Sequence, residues 1–549
     1  MKRFLTAFLL TLFFLPSQAS ASLFDMILVG DPVLEDMRFL SLEAGRPILS
    51  FTLPLSPHEA RAFLDSIDES GLSAPALEAY SRASRRLSPQ PPRLHFSSEL
   101  FSAFVGVSAS FEARARANRR VAWHPRHPDV PPVASFPVRL FIGSFMQLYI
   151  EPAWKMSPTR YQRAGSIATN MPFDYFQYDH LMPHRAFLAA GGRMWNFQIG
   201  RDRLSWGTGH MGSLSISDSP DFYDFMRLSF FAGVFRFSSM VIQMPLDIRH
   251  GLLCGSVFPD SAVPEGHLYR AVSRHLYMHR LDVMLFNSLA IGIMEGVMVG
   301  DSPLELRFLN PIMIFHQMIP WVEYGRWGGR EAGKDGHMVG PFFSVEANWN
   351  VIRSLSVYGQ FAMTQYELPG ELEGASHPSP DGLGYLAGIQ YSHSFGAWAA
   401  ALFFEFVHTS PFLYMHPSPF ASFIHMRLLL FDPPRYSFIG FPRDLMMFTL
   451  GARFFRNDEL SVSGVFSLLF NGERGIRYDW QACWSARGER TPTGAAERQA
   501  IATVSARWRP LPFLAVRGSL TGIHSRNNAH IPGAREAGLQ AAFSAGVSF

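Results

Sequence analysis

The last twelve residues of the chain are Gly538-Leu539-Gln540-Ala541-Ala542-Phe543-Ser544-Ala545-Gly546-Val547-Ser548-Phe549. Counted back from the end, every second residue is apolar, and the residues between them are small or polar. This period of two is typical of a β-strand whose two faces meet different solvents. Roughly 9–11 such residues can cross a bilayer, with hydrocarbon on one face and a polar lumen on the other. The alternative is the edge strand of a soluble β-sandwich.

The amino terminus favours the membrane alternative. Met1-Lys2-Arg3 is charged, residues 4–15 are apolar, and Ala19-Ser20-Ala21 is a small-residue cleavage site. This pattern predicts a secretory signal peptide over residues 1–21. The residue directly after the predicted cleavage site is Ser22 and not a cysteine, so a lipoprotein anchor is not indicated.

The composition combines high hydrophobicity with an absence of long apolar runs. Hydrophobic residues make up 48% of the chain and aromatic residues 14%, but no run after the signal peptide approaches 18 uncharged apolar residues. The nearest, residues 281–300, contains Asp282 and Glu295. Short alternating apolar segments without a helical span are what a lipid-facing barrel requires.

Charge and cysteine content exclude some classes of partner. The chain has 48 Lys and Arg against 45 Asp and Glu, a balance that argues against capture of nucleic acid. Cys254 and Cys483 are far apart and provide neither a disulfide scaffold nor a metal-binding spacing. We therefore expect no metal and no cofactor.

Residues 22–92 are predicted to form a helical bundle followed by a linker. Leu34 and Met37 have helical spacing, and this first helix stops at Gly45. Residues 56–59 read Ser-Pro-His-Glu, a capping box with Pro at the first helical position. A third helix begins near Ser73, and the Pro-rich residues 88–92 form a stiff linker. So small a bundle makes a marginal core and should lean on something larger.

From residue 93 onward the period changes from 3.6 to 2. Alternating segments recur to the end of the chain, separated by polar, turn-rich stretches. Outer-membrane strands with their loops use on the order of 22–30 residues each, and bacterial strand counts are even. Residues 93–549 are therefore predicted to form an all-β, antiparallel transmembrane barrel of about 18 strands.

Several short motifs resemble those of the Wzi family of outer-membrane capsule-assembly proteins. The most specific is Gly200-Arg201-Asp202-Arg203-Leu204-Ser205-Trp206-Gly207-Thr208-Gly209. Other matching pieces lie at residues 31–45, 52–56, 212–218, 225–228, 279–282, 310–311 and 438–444. The residues that carry the central motifs are Gly200, Arg201, Trp206, Gly207, Gly209, Asp218, Arg227, His279 and Arg280.

The resemblance implies a fold and a function. Wzi-like proteins are described as outer-membrane barrels of about eighteen strands with an amino-terminal periplasmic helical bundle, acting as lectins for capsular polysaccharide. The expected partners are outer-membrane lipid and a surface polysaccharide, and a monomer is expected. The final strand, ending at Phe549, resembles the closing strand of bacterial outer-membrane barrels. That resemblance implies recognition by the barrel-assembly machinery.

The strand before the central motif has a predicted orientation. Asn196, Gln198 and Asp202 share one parity and should face the lumen, opposite Trp195. A structural interpretation of the motif uses its glycines in a tight turn, places Trp206 at the membrane interface, and pairs Arg201 with Asp202 or Asp218. Direct contact with sugar is the alternative. His279-Arg280 is interpreted as an interface pair at the start of a strand, with a ligand site as the alternative.

Two predicted loops mix aromatic rings with planar polar side chains. Rings present flat faces to sugar C–H groups, and guanidinium groups pair with hydroxyls and uronate carboxylates. The alternative is that they are ordinary solvated loops with aromatic residues of the interface belt. The predicted polysaccharide-binding residues are Arg326, Trp327, Arg330, Arg477, Tyr478, Trp480 and Trp484.

Catalysis is not expected. Gly333-Lys334 is followed by Asp335, where a phosphate loop requires Ser or Thr. His58-Glu59 lacks the second His of a zinc motif, and there is no Gly-x-Ser-x-Gly. The sequence predicts a non-catalytic barrel that binds capsular polysaccharide or exopolysaccharide. A porin or substrate-selective channel is the alternative, and an adhesin is a third possibility.

Overall fold

The structure is a computed structural model. It describes residues 23–88, 94–98, 101–124, 126–247, 271–300, 303–315, 339–366, 380–416, 421–432, 434–476 and 488–549. The predicted signal peptide, linker residues 89–92, Cys254 and Cys483 lie outside the described residues. Among the residues described, no helix combines the length and apolar character needed to span a membrane.

Three helices occupy the amino-terminal region, as the sequence predicts. The α-helices are α1 (Val33–Ala44), α2 (Pro57–Asp65), α3 (Ala74–Arg86) and a later short helix α4 (Pro158–Arg163). Gly45 ends α1 in a left-handed conformation with φ +67°, which glycine adopts without strain. Ser56 and Glu59 form the predicted capping box at the start of α2. Short 3₁₀ turns lie at Glu69–Gly71, His127–Asp129, Tyr175–Gln177, Leu306–Leu309 and Asn528–His530.

The remaining regular structure is β-sheet. Its strands are β1 (Thr52–Leu53), β2 (Leu94–Ser97), β3 (Phe101–Val105), β4 (Ser108–Arg116), β5 (Ala134–Ser135), β6 (Val138–Ile142), β7 (Met146–Ile150), β8 (Ala153–Trp154), β9 (Ile167–Thr169), β10 (Ala186–Gly192), β11 (Trp195–Asp202), β12 (Ser205–Trp206), β13 (Tyr223–Ala232), β14 (Phe235–Gln243), β15 (Leu246–Asp247), β16 (Ala271–Val272), β17 (Arg274–Leu285), β18 (Leu289–Gly300), β19 (Val339–Ile352), β20 (Leu355–Gln365), β21 (Gly382–Phe395), β22 (Trp398–Thr409), β23 (Ile424–Arg427), β24 (Arg435–Phe438), β25 (Leu445–Arg456), β26 (Leu460–Asn471), β27 (Glu497–Leu511), β28 (Leu514–Arg526) and β29 (Arg535–Ser548).

The main sheet is antiparallel throughout its described part. Each long strand pairs with the next along the chain, and β29 pairs with β4. The pairs β3/β4, β5/β6 and β7/β8 each act as one interrupted strand, and β2 and β9 are short flanking strands. Counted in this way, the described residues form eighteen strands, in agreement with the prediction. Short turns lie at one end of the sheet, the short-turn end, and long loops lie at the other.

The predicted alternation of β29 is confirmed. Leu539 and Phe543 are each 51% exposed, whereas Gln540 between them is buried. The same pattern recurs on β11, where Trp195 is exposed and Asn196 is fully buried. The long strands therefore have an outer face of exposed apolar side chains and an interior face.

Much of the interior is filled by a large apolar core. Residues 203–222, here called the motif loop, and the described residues of 410–444 both fold inward and pack against the interior face of the strands. Members of this core from the motif loop include Leu204, Trp206, Leu214 and Ile216. Partners on the wall include Phe342, Leu386 and Val407.

The three amino-terminal helices pack on one another at the short-turn end. Their shared core includes two wall residues, Ala399 of β22 and Phe455 of β25. The ring of Phe39 in α1 meets that of Phe455 edge-on, with 5.1 Å between centroids. Asn350 of β19 donates to the Ser41 carbonyl of α1. As predicted, the bundle packs against a larger body, which is the main sheet.

One described segment lies on the outside of the sheet. Residues 303–315, here called the strap, bury Phe308 and Phe315 against Tyr277 and Val297. Tyr277 shares its strand parity with Leu281, which is exposed, so it belongs to the outer face. The strap therefore covers part of the outer wall formed by β17 and β18.

Candidate functional site

The polar residues of β11 face the interior, as their parity predicts. Asn196, Gln198 and Asp202 are fully buried, whereas Ile199 is 44% exposed. Asn196 donates from Nδ2 to the Glu59 carboxylate of α2 at 2.8 Å. The interior face of β11 therefore binds the amino-terminal region directly.

The structure gives Gly200 and Arg201 structural partners. Gly200 has φ +134°, and a Cβ there would overlap the Ala186 carbonyl oxygen of β10. Arg201 forms a two-pronged ion pair with Asp224, at 2.8 and 2.9 Å, and lies over the Phe222 ring at 4.0 Å. The predicted pairing with a carboxylate is correct in kind. The predicted partners, Asp202 and Asp218, are wrong because Asp224 lies directly opposite Arg201 on β13.

Trp206 does not lie at a membrane interface, contrary to the structural interpretation of the sequence. It is fully buried in the interior apolar core. Its backbone pairs with Thr52 of β1, and its backbone N–H donates to the Ile216 carbonyl at 2.9 Å. The reason is that the motif loop turns inward after Asp202 instead of continuing along the wall. Trp206 fixes that turn against the amino-terminal segment.

The glycines of the motif allow a tight approach of backbone segments. A Cβ on Gly207 would lie 2.8 Å from Ser213 Oγ, and one on Gly209 would overlap the Gly212 carbonyl oxygen. Arg38 of α1 donates to the Thr208 carbonyl at 2.9 Å. The predicted tight turn is present, and it holds an arginine of the helical bundle.

The tip of the motif loop also binds a wall carboxylate that sequence reasoning missed. Glu405 of β22 accepts hydrogen bonds from the backbone N–H groups of His210 and Met211 at 2.8 and 3.1 Å. Tyr358 of β20 donates its hydroxyl to the same carboxylate at 2.9 Å. Burial, and then the charge of Arg38, lower the pKa of His210 to about 4, so this imidazole is neutral at physiological pH.

Arg227 of β13 is fully buried and binds the amino-terminal segment. Its guanidinium donates to the Pro54 carbonyl at 2.6 Å and to Gln198 Oε1 at 3.2 Å. A buried guanidinium requires such acceptors, because an unpaired buried charge is very costly. This motif residue therefore ties β1 and its flanks to the wall.

Asp218 belongs to a charged cluster near the long-loop end. It pairs with Arg126 at 2.9 Å and with Arg203 at 3.0 Å. Nearby, Arg427 of β23 forms close ion pairs with Asp179 and Asp221. The cluster joins four loops that are far apart in sequence.

The same cluster contains a buried lysine. Lys155 follows β8 and is only 7% exposed. Burial, and then the positive charges of Arg203 and Arg427, lower the pKa of Lys155 to about 7, against the attraction of Asp179. Lys155 is therefore partly neutral near physiological pH.

His279 and Arg280 lie in the middle of β17, so their interpretation as a strand-start pair is wrong. His279 is on the outer face but buried, because the strap covers it and Phe315 stacks on its ring at 4.3 Å. Arg280 is on the interior face, where it binds Asp282 at 2.8 Å and Glu346 at 3.2 Å. Because Arg280 is paired with inward-facing carboxylates, the strand continues through this polar stretch.

The seven predicted polysaccharide-binding residues all lie outside the described residues. They are Arg326, Trp327, Arg330, Arg477, Tyr478, Trp480 and Trp484. In the part of the chain that the structure describes, no group of three or more His, Cys, Asp or Glu side chains is arranged to hold a metal.

An exposed cluster of rings lies at the long-loop end. Tyr175, Phe176, His180 and Phe431, here called the aromatic patch, contact one another with ring centroids 4.5–5.9 Å apart. Tyr175 is 61% exposed and Phe176 is 55% exposed. An exposed cluster of rings of this kind is a candidate binding surface.

Two features flank the aromatic patch. Trp154 and Tyr178 stack with their ring planes 10° apart. On another side, Asp432 lies 3.5 Å from Arg160 and 3.7 Å from Arg163, so two guanidinium groups share one carboxylate. Sequence reasoning missed this site, although residues 173–178 read Phe-Asp-Tyr-Phe-Gln-Tyr and are visibly rich in rings. The local signal was present, but its partner Phe431 is remote in sequence.

Comparison with solved structures agrees with this architecture. The structure of Wzi from Escherichia coli, described as an outer-membrane protein involved in group 1 capsule assembly and a carbohydrate-binding β-barrel, aligns with a TM-score of 0.58. The alignment covers 94% of this chain and 98% of that one, at 12% sequence identity. The similarity at this identity concerns the fold.

Two further solved structures align less well. OccD3 of Pseudomonas aeruginosa gives a TM-score of 0.39 at 8% identity, over 81% of this chain and 91% of that one. DcaP of Acinetobacter baumannii gives 0.37 at 7% identity, over 82% and 99%. No curated protein matches the sequence.

The sequence comparison identifies the family. The profile of the capsule assembly protein Wzi family matches residues 124–421, which is more than half of the chain. This range contains the complete motif loop, β17 and the aromatic-patch residues of the loop before β10. The chain belongs to the Wzi family of capsule assembly proteins.

Proposed function

We propose that the chain is a non-catalytic outer-membrane barrel that binds capsular polysaccharide or exopolysaccharide and assists its assembly or attachment at the cell surface. Membership of the Wzi family supports this function, as does the described carbohydrate binding of the similar E. coli barrel. The single observation in this molecule that carries the proposal is the aromatic patch.

The aromatic patch has the surface that a sugar requires. Its exposed rings offer apolar faces for the C–H surfaces of pyranose rings, and Tyr175 and His180 add polar atoms at the edge. Trp154 and Tyr178 extend the row of rings. Several adjacent rings allow one polymer to be held at more than one sugar unit, which raises avidity without a deep pocket.

The flanking arginines favour an acidic polymer. Arg160 and Arg163 carry two positive charges, and Asp432 supplies one negative charge between them. Both guanidinium groups keep exposed N–H donors, since their side chains are 38% and 62% accessible. A guanidinium pairs well with a uronate carboxylate.

The proposed orientation follows from the two ends of the sheet. The long loops and the aromatic patch face the outside of the cell, and the helices at the short-turn end face the periplasm. Exposed apolar residues of the outer face contact lipid. β29 together with the final residue Phe549 is the segment read by the barrel-assembly machinery, and the protein acts as a monomer.

The packed interior favours a binding role over that of a wide channel. The apolar core includes residues from the motif loop, from residues 410–444 and from the wall. Side chains at native packing density leave no room for a solute in the part of the interior that they occupy. A porin requires an aqueous path through the same space.

The experiment measures how strongly a column of immobilised acidic polysaccharide retains the purified mature chain in detergent. We expect the F176A/F431A variant to bind about tenfold more weakly, given about 0.5–1.5 kcal/mol for each aromatic contact. The matched control is F286A, which removes an 89% exposed ring from the opposite end of the sheet. It should bind like the unaltered protein.

Equal retention of F176A/F431A and the unaltered chain would show that the aromatic patch is not the binding surface. Conductance in planar bilayers tests the function itself. Large, stable conductance steps from the unaltered protein would overturn the binding role in favour of a channel. A barrel that gives no conductance steps but binds the polysaccharide would support the binding role.

A further inference from the structure

The interior of the sheet has two unlike halves. The apolar core fills the half near β13 to β25, whereas the interior face of β26 to β29 and β4 carries hydroxyl and guanidinium groups. Arg507 of β27 lies directly opposite Arg517 of β28, which lies opposite Ser544 of β29. One step further along, Ser505 lies opposite Ser519.

This polar half encloses space that water reaches. Arg517 has the parity of the interior residues Thr521 and Ile523, yet it is exposed whereas they are buried. Val121 packs on Ile523, and the His124 backbone N–H donates to a glutamine of β29. The loop after β4 therefore covers the space on the long-loop side, and the open part lies around Arg517.

Toward the short-turn end the space widens into a cavity. Its volume is about 970 Å³, and it lies between helices α1 and α3 and the turns that follow β25 and β27. Arg507 and Arg509 line it from the wall, and Arg82 and Asp36 line it from the helices. We call the space around Arg507, Arg509 and Arg517 the arginine chamber.

The arginine chamber carries an excess of positive charge. Asp458 pairs with Arg509 closely and with Arg507 at 3.4 Å. Arg517 forms no ion pair with any described residue, and Arg507 Nε is buried without a hydrogen-bond partner there. Three guanidinium groups thus share one aspartate. The nearby Glu112 does not change this balance, since it is bound by Arg114 at 2.7 Å.

The adjoining cavity does not neutralise that excess. Two of its helix-side cations are paired locally, Arg82 with Asp36 at 2.7 Å and Arg86 with Asp31 at 2.9 Å, whereas Arg85, which also lines the cavity, forms no ion pair with any described residue. Arg453 pairs with Glu35 at 2.6 Å. The helix acids that line the cavity are therefore already engaged, and Glu459 of the turn after β25 supplies one further negative charge. The open guanidinium donors are those of the chamber and of Arg85.

We propose that the arginine chamber is a second binding site, reached from the short-turn end, that takes a carboxylate-bearing oligosaccharide. Guanidinium groups receive the uronate carboxylate in two-pronged hydrogen bonds, and the serine hydroxyls receive sugar hydroxyls. The cavity has room for a few sugar units. The choice of ligand rests on the proposed function, but the chamber lies at the end of the sheet away from the aromatic patch.

The test is calorimetric titration of the mature chain in detergent with a linear trimer of galacturonic acid. We expect the unaltered chain to bind it, and the R507Q/R517Q variant to bind at least tenfold more weakly. The matched control is R498Q/R526Q. These arginines also lie directly opposite each other on β27 and β28, but on the outer face, so the same charge is removed. The control should bind normally.

Further measurements separate charge from folding and one site from the other. R507K/R517K keeps the charge and should retain measurable binding, and neutral maltotriose should not bind the chamber. Failure of the unaltered chain to bind the acidic trimer, or equal binding by R507Q/R517Q, overturns the proposal. F176A/F431A should leave trimer binding unchanged. If that variant alone loses the trimer, the acidic sugar binds the aromatic patch and the chamber proposal is wrong while the proposed function stands.

Discussion

Thr52 and Trp206 lie directly opposite each other in an antiparallel pairing that joins the segment before α2 to the motif loop. Both residues are fully buried, and the Gly207 N–H extends the contact by donating to the Phe51 carbonyl at 3.0 Å. The pairing places amino-terminal backbone inside the sheet. We therefore expect the helices and the barrel to unfold together.

Replacing Trp206 tests this coupling. Trp206→Ala leaves a large cavity in the interior core and should lower the free energy of unfolding by about 3–5 kcal/mol. Trp508→Ala is the control, because Trp508 is 54% exposed on the outer face of β27. Urea midpoints in detergent, followed by circular dichroism, compare the two. Equal midpoints would contradict the structural role of Trp206.

Gly200 should not tolerate even a methyl group. Its φ of +134° is unfavourable for other residues, and a Cβ would also lie 2.7 Å from Phe187 Cα. Gly200→Ala should therefore lower the urea midpoint clearly. Gly464→Ala on β26 is the matched change, since a Cβ there meets no atom within 4 Å. That variant should unfold like the unaltered chain.

The ion pair between Glu59 and Arg236 should be essential for docking α2. Glu59 accepts from Arg236 Nε at 2.5 Å, and both side chains are buried. Glu59→Gln leaves a buried guanidinium poorly paired and should cost about 3–5 kcal/mol. Asp129→Asn breaks a half-exposed pair with Arg126 and should cost at most about 1 kcal/mol. The urea midpoints of both variants measure these costs. The rate at which a protease releases the amino-terminal region, quantified for both variants, provides a second measurement.

Lys155 should make stability depend on pH. Its pKa in the folded chain is about 7, below its ordinary value of 10.5. Between these values the unfolded chain binds more protons than the folded chain, so stability rises with pH. Below about pH 7 both states are protonated and the penalty of the buried charge is complete. Lys155→Met should therefore stabilise the protein most at or below pH 7.

The advantage of Lys155→Met should shrink as the pH rises from 7 toward 10.5. Urea midpoints measured across this range provide the check. An advantage that stays constant or grows with pH would show that the pKa of Lys155 is not depressed.

Local patterns predicted the elements of this fold well. The alternation around Phe543 identified a strand and its outward face, because a period of two is a property of neighbouring residues. The Ser56 and Glu59 capping box likewise identified the start of α2 from four residues. The strand count followed from chain length and the even numbers of bacterial barrels.

Long-range contacts explain what the sequence did not reveal. Trp206 stands among glycines and resembles an interface residue, but Thr52 and Ile216 determine its burial. The charge of Arg280 made the middle of a strand look like its start. The sequence did not show that Arg280 has inward-facing partners, including Glu346 from another part of the chain. The aromatic patch was missed for the same reason: its rings at residues 173–178 are present in the sequence, but Phe431 joins them only in the folded protein.

The strap makes part of the wall two layers thick. Tyr277 and Val297 point outward from their strands but are covered by Phe308, so the exposed apolar side chains at this place are Leu306 and Ile312 of the strap. Truncating Tyr277 should therefore leave a void, as in the middle of a water-soluble protein. Shortening Leu281 on the same face only changes an exposed surface, because that side chain is 42% exposed. Tyr277 and Leu281, four residues apart on one strand, should therefore differ in how much a truncation destabilises the protein.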